Sequence, residues 1–189
     1  GAMKNSAKRA RAALAMTIGL TTQALAIEPG QGVDNFRLLD HQGKPHELYY
    51  LSHTKAVVLM VQGNGCPIVR QALPALAEVR ARYRAQGVEF LLLNSNLQDT
   101  RDLVAKEASE FKIDFPILLD ESQLIGEALG VVRTSEVFVI DPKGWKLKYR
   151  GPMDDRLSYE RQRPAKHHYL TDALDAVLAG KPVPTPQAD

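Results

Sequence analysis

Cys66 is the only thiol in these 189 residues. No disulfide can close within them, and no structural zinc site can be built from thiolates. Basic patches are equally scarce. Four of the 24 Lys and Arg residues (Lys4, Lys8, Arg9, Arg11) fall in the first 26 positions, which hold no acid, and the other 20 face 22 Asp and Glu. No basic stripe with interleaved aromatics is left to follow a phosphate backbone, so a nucleic-acid partner is disfavoured. No segment approaches the roughly 18 apolar residues that a transmembrane span needs, and no repeat or low-complexity tract interrupts the chain. With 44% hydrophobic and 24% charged residues, the length suits one domain with a substantial core.

The N-terminus reads as an export signal. Gly1-Ala2-Met3 has the form of a protease scar ahead of an initiator Met, followed by a basic stretch, a short apolar segment from Ala12 to Leu20, and the small residues of Ala24-Leu25-Ala26. Cleavage at Ala26/Ile27 is expected, giving a periplasmic or secreted protein. The chain would then divide into residues 1–26, scar plus signal peptide, and residues 27–189, one domain with a short tail. The alternative is an amphipathic helix that stays attached.

Further on, Phe36 to Asp40 and His46 to Tyr49 flank the turn His41-Gln42-Gly43-Lys44, which predicts a small hairpin. Lys55 to Val61 is a continuous apolar run suited to a strand buried on both faces. It ends in Gln62-Gly63-Asn64-Gly65, and Cys66-Pro67 then opens a helix to about Gln86. That helix is expected to bury Ile68, Leu73, Leu76, Val79 and Tyr83, to turn Arg80, Arg82 and Arg84 to water, and to kink at Pro74. Strands are predicted at Val88 to Leu93, Pro116 to Asp120, Val137 to Ile140 and Lys146 to Arg150. Helices are predicted from Asp99 or Thr100 to Phe111, from Ser122 to Leu129 and from Tyr169 to Leu178. The order implies an α/β sandwich with a mixed central sheet.

A cysteine at a helix start meets unpaired N–H groups and the positive end of the helix dipole, which favour thiolate. Pro67 suits the first helical position because it lacks an N–H. Arg70, one turn on, can add positive charge or simply reach solvent. His41, His46 and His53, with the hairpin, and the adjacent His167 and His168 are expected at the surface. Asp154 and Asp155 are expected to bond loop backbone, and Trp145 to be exposed at a hairpin tip.

Gly65-Cys66-Pro67, Leu93 to Asn96, Phe115 to Glu121, Val137 to Gly144, Tyr149 to Asp155 and Leu174 to Pro184 stand in an order that resembles the thioredoxin-like superfamily, in its redoxin or peroxiredoxin-like (AhpC/TSA-type) branch. The resemblance covers most of residues 33 to 184. It implies a thioredoxin-like α/β/α sandwich with a mixed sheet and an N-terminal β-hairpin. It also implies a site in which Cys66 and Arg70 are catalytic and Asn64, Pro67, Thr134 and Ser135 face the substrate. Departures accompany it. Val69 stands where cysteine-pair thioredoxins carry their second thiol, and Gly63 and Leu59 where peroxiredoxins carry Thr or Ser and Pro. Ser135 stands where the former have cis-Pro and the latter Arg.

Three functions follow. One is a single-cysteine thiol–disulfide oxidoreductase or peroxiredoxin-like antioxidant protein, resolved by an external thiol or partner protein, with a Cys66-linked dimer as one oxidised state. The second is a catalytically degenerate redoxin that serves as a binding module, and the third a copper-handling protein. No cofactor and no resident metal are expected.

Overall fold

A computed structural model of the protein describes residues 26–156 and 164–189. Apart from Ala26, the export segment lies outside the described residues.

The hairpin forms from β1 (Arg37–Leu39) and β2 (Pro45–Glu47), antiparallel with Leu38 opposite His46. Leu48–Leu51 then coils into a 3₁₀ turn, which removes Leu48 and Tyr49 from the predicted strand. The central sheet is built from β3 (Ala56–Val61), β4 (Val88–Asn94), β5 (Ile117–Leu119), β6 (Val137–Asp141) and β7 (Lys146–Gly151), in the order β5-β4-β3-β6-β7. β3, β4 and β5 run parallel, whereas β6 and β7 are antiparallel to their neighbours. β3 sits in the middle, which is why all six of its residues are apolar and buried.

The strands' period of two divides the core. Ala56, Val58 and Met60 face α1 (Pro67–Tyr83), α2 (Arg101–Glu110) and α4 (Tyr169–Leu178), whereas Val57, Leu59 and Val61 face the hairpin side and α3 (Leu124–Leu129). Each fully buried aliphatic side chain contributes about 1.5–3 kcal/mol. The sandwich is the predicted thioredoxin-like one.

Local details differ from the sequence pattern. α1 buries Val69, Ala72, Leu76 and Tyr83, while Ile68 is exposed, so the apolar stripe begins one residue later than expected. α1 runs through Pro74 to Tyr83. Arg80 does not simply turn to water: it lies 3.8 Å over Phe115 and pairs with Asp114 at 2.6 Å. His41 is buried, its Nδ1 accepting the Ile117 N–H at 3.3 Å. Trp145 is stacked on Tyr49 at 4.4 Å and packs on the hairpin-side core.

One charged side chain ties the sheet edge to its surroundings. Arg150 on β7 is buried, donates to Glu136 through Nε and Nη2, and reaches the carbonyls of Ile27, Leu129 and Gly130. Nearly its whole donor fork is used, which is what makes a buried guanidinium tolerable.

Candidate active site

The parallel strands β3 and β4 end at one edge of the sheet, and the connection entering the antiparallel β6 lies at that same edge. Topology alone therefore brings residues 62–66, 94–99 and 133–135 together. Cys66 is the N-cap of α1, in extended conformation and partly exposed, with Pro67 in the first turn. Its N–H donates to Gly63 O at 3.4 Å, closing a turn, and its own carbonyl accepts the Arg70 N–H at 3.2 Å.

Thr134 completes the thiol's surroundings. Its Oγ1 lies 3.2 Å from Cys66 Sγ. Burial pushes the thiol's pKa up, but the Thr134 hydroxyl, the backbone N–H groups of Val69 and Ile68, and the Arg70 charge outweigh it and hold the pKa below the ordinary thiol range. No cap hydrogen bond closes on the sulfur by distance and angle. The two N–H groups therefore act as aimed dipoles, and the hydroxyl supplies the side-chain hydrogen bond to the sulfur.

The remaining predicted residues have distinct places. Arg70 pairs with Glu107 at 2.5 Å and lies flat over Phe111 at 3.8 Å, so its charge is largely matched. Asn64 is part of the loop's bracing: its Oδ1 accepts from Gln62 Nε2 at 3.0 Å, and its N–H donates to Asp99 at 3.0 Å. Pro67 is exposed beside the thiol. Ser135 occupies the left-handed region at φ 64°, its N–H bonded to Val61 O at 2.8 Å. A groove of about 600 Å³ opens beside Thr134, walled by Ser95, Asn96, Gln123, Glu127 and Arg133. Of the residues expected to face the substrate, Thr134 touches the thiol, Pro67 adjoins it in the chain, Ser135 follows Thr134, and the side-chain oxygen of Asn64 is spent within the loop.

Sequence reasoning missed the layer beneath. Gln62, Asn94, Asp99 and Glu107 form a buried or half-buried network: Asn94 donates to Gln62 and Asp99, Asn96 donates to Asp99, and Gln62 and the Gly65 N–H donate to Glu107. One signal was readable. Val104, Glu107 and Ala108 share the buried face of α2, and an acid on an apolar stripe needs partners.

Elsewhere, His46 pairs with the buried Asp40 at 2.7 Å, Asp154 with Arg156, and Asp155 accepts the Lys166 N–H. His168 caps α4 by position while His167 stacks on Tyr169. Among the described residues, no group of three or more His, Cys, Asp or Glu is placed to hold a metal, and no helix is long and apolar enough to cross a membrane.

Comparisons with known proteins bear on the family and the fold. The sequence pattern of the AhpC/TSA family matches residues 29–149. The thiol-disulfide oxidoreductase ResA of Geobacillus thermodenitrificans is 32% identical over 135 residues, 70% of this chain and 76% of that protein. A hypothetical protein of Sinorhizobium meliloti superposes with a TM-score of 0.76 at 31% identity, over 88% of this chain and 93% of its own. A thiol:disulfide interchange protein DsbE from Chlorobium tepidum, at 21% identity, shares the fold with a TM-score of 0.66, over 81% of this chain and 99% of its own.

Proposed function

The chain belongs to the AhpC/TSA family, and on that premise we propose that it is a single-cysteine thiol–disulfide oxidoreductase working through Cys66 with an external thiol. The observation that carries the reading is a thiol at a helix N-terminus, partly exposed, in contact with a hydroxyl and held below its ordinary pKa. The kinship with a ResA protein supports the reaction class.

In the first step, Cys66 thiolate attacks one sulfur of a substrate disulfide. The Cys66–sulfur bond forms, the substrate's S–S bond breaks, and one substrate thiolate leaves. Val69 stands where a resolving thiol would be, so a second, external thiolate attacks the mixed disulfide, releases Cys66 and carries away the other substrate sulfur as a new disulfide. That external thiol, from a small molecule or a partner protein, supplies the reducing electrons. A second copy of the chain trapped on Cys66 would give the disulfide-linked dimer.

Peroxide reduction is the second reading, favoured by the Thr134 hydroxyl at the sulfur. There the thiolate attacks a peroxide oxygen, the O–O bond breaks, a proton converts the leaving oxygen to water or an alcohol, and Cys66 becomes sulfenic acid. Excess thiol then returns it through a mixed disulfide and a second molecule of water.

The test is turnover of a small disulfide and of hydrogen peroxide with excess monothiol, Cys66→Ser serving as control. Disulfide consumption that vanishes in Cys66→Ser supports the reading. A thiol that reacts no faster than free cysteine, with partner binding unchanged in Cys66→Ser, would leave a binding module instead. Stoichiometric copper(I) binding without turnover would favour metal handling. We also infer that residues 1–26 direct export to the periplasm or beyond and that residues 27–189 are the working domain.

A further inference from the structure

We propose that Glu107 is a positioning residue for Cys66: it holds the Gly65–Cys66 backbone and the Arg70 guanidinium in place, and its negative charge restrains the pull of Arg70 toward thiolate. The inference rests on Cys66 being the working thiol.

Glu107 lies on the buried face of α2 between Val104 and Ala108 and is only 8% exposed. An apolar residue would fill that position without the cost of burying a carboxylate, so the acid is explained by what it holds. Oε1 accepts the Gly65 N–H at 2.7 Å and Arg70 Nη2 at 2.5 Å, and Oε2 accepts Gln62 Nε2 at 3.3 Å. All three partners belong to the segment that carries Cys66. Gly65 has φ 73°, a left-handed conformation suited to glycine, and the anchored N–H fixes that turn one residue before the thiol.

Arg70 is clamped between the carboxylate and the Phe111 ring, and its Nε is buried without a partner. A guanidinium held in this way acts on Cys66 as one end of an ion pair, not as a free positive charge. Its pull toward thiolate is smaller than that of the Thr134 hydroxyl and of the Val69 and Ile68 N–H groups. The other charges at this edge are Asp99, whose Oδ2 accepts from Asn64, Asn94 and Asn96, and Arg133 and Glu127, which line the groove beside Thr134. On α2 itself, Lys106 and Glu110 pair with each other on the exposed face, and Asp102 lies in the first turn.

The test is the alkylation rate of Cys66 against pH in the full chain, with amide hydrogen exchange at Gly65 as a second readout. Glu107→Gln keeps an acceptor for the Gly65 N–H but removes the charge that offsets Arg70. The thiolate-to-thiol ratio at fixed pH is then expected to rise roughly threefold, moving the profile to lower pH. Arg70→Met/Glu107→Met removes both charges in apolar groups of similar length. Its profile should return to near wild type, while the Gly65 amide loses its anchor and exchanges faster. An unmoved profile in Glu107→Gln, or one moved to higher pH, overturns the inference. So does wild-type protection of Gly65 in the double variant, which decides alone if Glu107→Gln does not fold. Alkylation needs no substrate turnover, so the two readings fail separately. The expected shifts without disulfide exchange would sink the function and keep Glu107's role; exchange with unmoved profiles would do the reverse.

Discussion

Replacing Thr134 by Val removes one hydroxyl and preserves shape. In the protein Thr134 Oγ1 lies 3.2 Å from Cys66 Sγ, and to a thiolate it can only donate. A hydrogen bond to a charged group is worth about 1.5–3 kcal/mol, and the partly exposed sulfur argues for the low end. A loss of about 1.5 kcal/mol lowers the thiolate-to-thiol ratio about tenfold. The reaction rate falls by less, because a more basic thiolate is a better nucleophile. With a Brønsted coefficient of about 0.4–0.5, tenfold in basicity returns about threefold in intrinsic reactivity. Thr134→Val should therefore alkylate about threefold more slowly than wild type on the acidic limb and about threefold faster on the alkaline plateau. The assay is the iodoacetamide rate across the neutral-to-alkaline range, followed by mass spectrometry. Two curves that cross are the expected result. Coincident curves, or a variant slower at every pH, would refute the role given to the hydroxyl.

Four other outcomes are expected. Val69 is buried in the first turns of α1, so in Val69→Cys the introduced thiol should form a disulfide with Cys66 and cycle with dithiothreitol, at a stability cost of about 1 kcal/mol; a mass showing two free thiols after oxidation would contradict this. Burial lowers the His41 pKa, with Asp40 opposing and Arg101 assisting. The folded state therefore binds that proton less readily than the unfolded chain, and stability present above the unfolded value of about 6.5 is lost as pH falls below it. Urea midpoints should decline on acidification, and less steeply in His41→Gln. Arg150→Met leaves Glu136 buried and unpaired and should cost about 3–5 kcal/mol by denaturant titration, much of it recovered in Arg150→Met/Glu136→Leu. Protein recovered from a host periplasm should begin at or next to Ile27 by mass and melt like the full chain, because the Ile27 carbonyl contact with Arg150 is retained; an intact N-terminal mass would count against cleavage.

The central strands β3, β5 and β6 were legible because burial on both faces leaves them almost wholly apolar, and the starts of α1 and α2 because Pro67 suits a first helical position and Thr100 is a capping residue. Thr100 does accept the Leu103 N–H. What periodicity could not place was long-range. Ile68 has the hydrophobicity of a core residue, but its position in the first turn points it past the sheet, and Val69 goes inside instead. His41 looks like a turn residue, yet the bridge from Asp40 to Leu118 draws it against β5. The Glu107 network joins residues more than forty positions apart, and only the apolar company of Glu107 on α2 marked it in advance.

The departures at Gly63 and Ser135 are also connected in space. A Cβ on Gly63 would lie 2.8 Å from Asn96 Nδ2 and 3.2 Å from Thr134 Cγ2. A threonine three residues before the cysteine would therefore displace the Asn96 side chain and press on the Thr134 methyl. Thr134 brings a hydroxyl to the sulfur from another segment. The guanidinium is different. Ser135 offers no charge, and Arg70 is engaged by Glu107 and Phe111. Peroxide cleavage develops charge on a leaving oxygen and benefits from a cation and a proton donor placed there. Disulfide exchange transfers the thiolate's electrons to sulfur and expels a thiolate that leaves unaided. The site keeps what the attacking sulfur needs, holds Arg70 in an ion pair and leaves Arg133 at the groove beside Thr134, so the ratio of disulfide to peroxide turnover in wild type and Arg133→Met decides between the two readings.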